Sequence, residues 1–199
     1  DNDPSLVMPY LVDVSKIVRK HFPKCGIWIS LQGFNKTQVD YFYDYVNREQ
    51  PKWLTGLVSG PSSPRMEESR RRMPAQYKHR HYPDITHSVR AQYPVTWWDP
   101  AFGMTLGREC INPRPIFESA LHNYYAPLTD GFLTYSDGVH DDVNKAIWSL
   151  SAWDPKMSVR DQVLAYTRTF FGAKVAEEAA DGILALEKNW EGPIGKNGG

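Results

Sequence analysis

Leu6, Val7, Tyr10, Leu11, Val14, Ile17, Val18 and Phe22 recur at the three-to-four-residue spacing of a helix. Asp3-Pro4 supplies an N-cap acid followed by proline at the first helical position, and Pro23 ends the pattern. Residues 25–31 then read as a short buried strand that stops at Gln32-Gly33-Phe34. Asn35 opens a second helix with Val39, Phe42 and Val46 on one face. A strand over 53–58 follows, ending at Ser59-Gly60-Pro61, then a strongly charged helix over 64–73 and a strand over 77–82. A long irregular connection leads to a helix over 114–125 and a last strand over 131–135. Beyond it, helix 140–152 carries Val143, Ile147 and Leu150. Ser158 and Asp161 form a capping-box pattern at the start of helix 158–171, which Gly172 ends. A further helix reaches about Trp190, before a Gly-rich tail that should be mobile.

Strands that alternate with helices pair in parallel through right-handed crossovers. One leading helix and four strand–helix units predict an α/β chain. They fit the second half of an eight-stranded (β/α) barrel followed by a C-terminal helical extension. The expected divisions are a half barrel over 1–155, C-terminal helices over 156–190 and the tail over 191–199. A doubly wound sheet is the alternative, but the first strand lacks the glycine-rich phosphate loop of that fold. Four strands cannot close a barrel, so the missing N-terminal half is the expected partner and the chain is expected to be a fragment. The opening Asp-Asn-Asp, without an initiator Met, reads as the start of a mature or trimmed product.

Charge narrows the partners. The 23 basic and 23 acidic residues balance, so no polyanion such as nucleic acid is implied. The basic stretch from Arg70 to His81 reads as a solvated helix end. No apolar run approaches a membrane span, and no signal peptide is recognisable. Cys25 and Cys110 have no metal or redox spacing. Seven Trp and eleven Tyr stand out, several of them beside Pro, Gly, Asp and His and outside periodic segments. Aromatics so placed pack loops or bind a ligand with flat apolar faces, such as a sugar.

In a barrel of this kind the active site lies at the carboxyl ends of the strands. Gln32, Asp84, His87, Tyr135, Asp137, His140 and Asp141 fall there, and Asp1 and Asp3 would follow the fourth strand. Carboxylates after strands four and seven suit a retaining glycosidase, one protonating the leaving oxygen and the other attacking or stabilising the anomeric carbon. Asp1, Asp3 and Asp84 are therefore the catalytic candidates. Tyr93, Trp97, Trp98, Asp99 and Asn112, on the roughly 30-residue connection, join the substrate-binding candidates, because irregular segments of that length are usually functional. Plainer roles compete: Asp3 as a helix cap, Asp84 in a turn, Asp141 and Asp142 favoured by a helix dipole, Trp97 and Trp98 as loop packing. His79 and His81 alternate on a strand, yet no third ligand has metal spacing, so neither metal nor cofactor is expected. A serine nucleophile lacks its Gly-x-Ser-x-Gly elbow.

The segment YSDGVHDDVNKAIWSLSAWDPKMSVRDQVLAYTRTFFG resembles the end of the catalytic barrel of bacterial glycoside hydrolases. It is similar to the family 84 hexosaminidase-like group and its relatives, including family 20 and the α-glucuronidases. Ala152-Trp153-Asp154-Pro155 matches their junction to a helical extension, and YPDITHSVRAQYPVTWWDPAF resembles the strand-seven loop bordering the sugar pocket. The resemblance implies carbohydrate as partner and an acid pair after strand four, where this chain has Asp1-Asn2-Asp3. Two functions are expected to compete: a glycoside hydrolase, and a carbohydrate-binding barrel without a working acid pair.

Overall fold

A computed structural model describes residues 3–86, 92–93, 113–136 and 142–188. The chain is α/β, with parallel strand pairing throughout the described residues. It divides into two compact units, Asp1–Pro83 with Leu128–Leu133, and Asp84–Pro127 with Thr134–Gly199.

The first unit runs α1 (Pro4–His21), β1 (Trp28–Ser30), α2 (Lys36–Glu49), β2 (Gly56–Ser59), α3 (Met66–Arg72) and β3 (Lys78–His81). The strands form a parallel sheet in the order β1-β2-β3, and a parallel bridge from His81 to Phe132 extends it. Caps start the helices where the sequence placed them. Asp3 Oδ1 accepts the Ser5 backbone N–H at 2.9 Å, with Pro4 in the first turn. Asn35 and Gln38 form a reciprocal capping box. Leu57 and Ile29 point to the same side of the sheet and pack with Met8 of α1 and with Val39, Phe42 and Val46 of α2. On α3, Ser69 bonds the Tyr43 hydroxyl of α2 at 2.7 Å, so the third helix lies on the same side. Strand β2 begins later than its apolar pattern. Leu54 is buried in a turn, where its N–H bonds the Pro51 carbonyl, and apolar character there reflects packing rather than pairing.

Helix α1 departs from its pattern in which side it buries. The inward positions are Pro4, Met8 and Ser15, whereas Leu6, Tyr10 and Ile17 are each more than 60% exposed. Apolar residues occupy both sides of this helix, and only the neighbours decide which side is covered. The exposed stripe should promote self-association. Replacing Leu6 and Ile17 with Glu is expected to lower light scattering at high protein concentration, with a stability change within about 0.5 kcal/mol. Unchanged scattering would show that the stripe is not the adhesive surface.

The second unit contains β4 (Asp84–Thr86), α4 (Pro115–Tyr125), β5 (Tyr135–Ser136), α5 (Asp142–Trp153), α6 (Val159–Phe170) and α7 (Ala176–Lys188). Strands β4 and β5 pair in parallel, with Asp84 opposite Tyr135. Ile147, Val163, Leu164, Ala176 and Ala180 form one core, so α5 and α6, which the sequence divided near residue 155, belong together. Ser158 Oγ accepts the Asp161 N–H at 3.1 Å, the expected cap. Gly172, at φ +90°, makes the left-handed turn between α6 and α7 that a side chain would strain. Among the described residues no helix is long and apolar enough to cross a membrane.

Candidate functional site

The sequence-derived candidates separate into distinct settings. Asp3 is an exposed helix cap whose carboxyl is held below the usual range by the Ser5 backbone N–H and, next, the Ser5 hydroxyl, which donates at 2.8 Å. A carboxyl so held stays ionised and is poorly suited to donate a proton. Gln32, just past β1, donates through Nε2 to the Pro61 carbonyl at 2.9 Å, and its Oε1 accepts from Ser30 Oγ at 3.3 Å. Asp1, His87, Trp97, Trp98, Asp99, Asn112, Asp137, His140 and Asp141 lie outside the described residues.

In the second unit, Asp84 and Tyr135 are register partners at the start of a parallel pair. Paired residues on adjacent strands point to the same side. Asp84 is 4% exposed and Tyr135 is 40% exposed, so a buried carboxylate adjoins an accessible phenol-bearing strand end. The Asp84 backbone N–H donates to Gln92 Oε1 at 2.8 Å. Next to Gln92, the Tyr93 carbonyl accepts from Arg114 Nη2 at 3.0 Å, and the Tyr93 ring lies 6.0 Å from that of Tyr125. The Gln92-Tyr93 dipeptide thus ties β4 to α4.

Beneath that tie is a buried polar network that sequence reading missed. Arg114 Nη2 meets Glu118 Oε1 at 3.2 Å, one helical turn away, and Trp148 Nε1 donates to Glu118 Oε2 at 2.8 Å. Asn144 Oδ1 accepts the Arg114 backbone N–H at 2.8 Å, and the His122 ring stands edge-on to Trp148 at 5.3 Å. Glu187 of α7 accepts the free backbone N–H groups of Ile116 and Phe117, each at 2.8 Å, capping α4 from another helix. Burial pushes the Glu118 carboxyl up to about 7, against the opposing pull of Arg114. The four-residue spacing of Arg114 and Glu118 was a visible signal, but their burial was not. Asp142, expected at a helix start, also accepts the Tyr166 hydroxyl at 2.6 Å and so links α5 to α6.

The first unit holds the two strand histidines on its buried side. His79 Nε2 and Ser59 Oγ are 2.6 Å apart, and burial, with Arg70 nearby, pushes the imidazole down to about 4. His79 Nδ1 has no hydrogen-bond partner among the described residues, so an added proton would be unsatisfied. The Ser59–His79 pair is a buried contact between β2 and β3. No group of three or more metal-ligating side chains gathers among the described residues.

These two buried groups act oppositely on stability. His79 is depressed from 6.5 to about 4, so the unfolded chain binds its proton first and stability falls as pH drops from about 6.5 toward 4. Glu118 is raised from 4.5 to about 7, so its stability is fully present below 4.5 and is lost as pH rises through about 7. Each swing is about 3 kcal/mol at its limit. Urea unfolding across this range should show His79→Gln removing the acid-side loss and Glu118→Gln the alkaline-side loss. A variant with the wild-type pH profile would exclude its group as the cause.

Compared with known proteins, the chain matches no family model, no curated protein and no solved structure.

Proposed function

We propose that this chain is part of a carbohydrate-active barrel enzyme that hydrolyses a glycosidic bond by carboxylate catalysis, with Asp84 as a catalytic residue. The observation that carries it is Asp84 itself, a buried carboxylate on a parallel strand, in register with an exposed Tyr135. It directly precedes a segment rich in Tyr and Trp. An acid so placed can donate a proton to a leaving oxygen or attack an anomeric carbon.

The finer architecture, half of an eight-stranded barrel, is supported in two ways. The chain at β1, β2, β3 and Phe132 lies side by side in parallel and in sequence order. Helices α1–α3 cover only one side of their sheet, as they do around a barrel, whereas a doubly wound sheet has helices on both. Barrel closure requires further strands. The exposed Leu6–Tyr10–Ile17 stripe of α1 offers a surface for a neighbouring helix of the other half.

One observation favours the second function, carbohydrate binding without turnover. Asp3 serves as a cap with a lowered pKa, which leaves the acid after strand four without an evident proton-donating member. Release of 4-nitrophenol from a panel of aryl glycosides separates the two. Hydrolysis of at least one glycoside is expected, and binding of sugars with no hydrolysis of any would leave only the binding function.

A further inference from the structure

We propose that the side of the three-stranded sheet left open by α1–α3 binds an oxyanion carried on the ligand, a carboxylate or sulfate, and that Arg80 is its anchor. For the sugar ring this rests on the carbohydrate function above; for the anion it does not. Alternation along the strands sends Ile29, Leu57 and His79 toward the helices and places two registered rows on the other side. These rows are Trp28, Gly56 and Lys78, and Ser30, Val58 and Arg80.

The indole of Trp28 lies across Gly56. A Cβ at that glycine would stand 2.9 Å from Trp28 Cζ3 and 2.0 Å from the Lys78 carbonyl oxygen, so only glycine lets the ring settle there. The Arg80 guanidinium carbon then sits 4.1 Å from the centre of the Trp28 ring. Arg70, Arg72 and Arg114 all have carboxylate partners, whereas Arg80 forms no ion pair among the described residues. Its side chain is nevertheless exposed. The two rows hold two cations and no acid. The Lys78 charge is partly offset by Asp130, whose carboxyl it helps to lower.

Stacking fixes the plane of a guanidinium and leaves its N–H donors free along the edge. That fork matches the spacing of two oxygens on a carboxylate or sulfate, and little side-chain freedom remains to be lost when they bind. Ser30 stands two strands away in the Arg80 row, with Val58 between them, and its hydroxyl bonds Gln32 at the carboxyl end of the sheet.

Calorimetric titration of the intact protein with D-glucuronate, D-glucose and inorganic sulfate tests this. Glucuronate should bind about tenfold or more tightly than glucose, as a charge-assisted hydrogen bond allows. Arg80→Gln should abolish that preference, and Arg80→Lys, which keeps charge without the fork, should keep part of it. Sulfate binding as tightly as glucuronate, and lost in Arg80→Gln, would assign a site for the bare oxyanion and support Arg80 while removing the sugar ring. Equal binding of glucose and glucuronate would overturn the anchor and leave the carbohydrate function standing. Binding of neither anion, or an Arg80→Gln protein with wild-type circular dichroism and an unchanged preference, would also overturn it.

Discussion

With Asp84 as the proposed acid, Asp84→Asn is expected to lower kcat/KM on any glycoside that the protein hydrolyses by about a hundred- to ten-thousandfold, the range a positioned acid or base contributes. Asn keeps the size and planarity of the side chain but can neither transfer a proton nor attack as an anion. The substitution leaves the backbone contacts of β4 in place, its pairing with β5 and the bond from Asp84 N–H to Gln92. A thermal melt close to wild type is therefore expected beside the kinetic loss. If Asp84→Asn turns over normally, Asp84 is a turn or packing residue and the acid lies elsewhere.

Glu118→Ala is expected to destabilise the second unit by about 3–5 kcal/mol, the scale for removing one partner of a buried ion pair. The side chain is fully buried, and its two oxygens serve Arg114 and Trp148 separately. Truncation removes the carboxylate that accepts from the Trp148 indole N–H and pairs with the buried Arg114 guanidinium, which keeps its bond to the Tyr93 carbonyl. Glu118→Gln keeps one oxygen acceptor and the volume, and should cost far less near pH 7, where the native carboxyl is already half protonated. Equilibrium urea unfolding of both variants decides it. Equal losses in Ala and Gln would mean that charge, not the acceptor network, holds the site.

The local signals of this fold were legible because they are short-range. Asp3-Pro4, Asn35 and Ser158 with Asp161 all cap helices where the sequence marks them, and the structure adds Gln38 to the Asn35 cap. The alternation of His79 and His81 on one side of a strand was equally plain. What those histidines do was not, since Ser59 lies twenty residues from His79 and only the β2–β3 register brings them together. Helix α1 shows the same limit. With apolar residues around much of its circumference, spacing alone does not select Met8 over Leu6 for burial. Of the candidate site, the sequence marked Gln32, Asp84 and Tyr135 because polar groups at strand ends break an apolar run. Arg114, Glu118 and Trp148 went unmarked because their contacts join α4 to α5, and Arg80 because stacking on Trp28 needs three strands in register.

Saturation-transfer NMR on the intact protein with a panel of neutral and acidic monosaccharides tests for a carbohydrate site built around Asp84. Transfer to the ring protons of at least one sugar is expected, retained in Asp84→Asn, where binding outlasts catalysis. Transfer to none of the sugars, with the protein folded by circular dichroism, would contradict it.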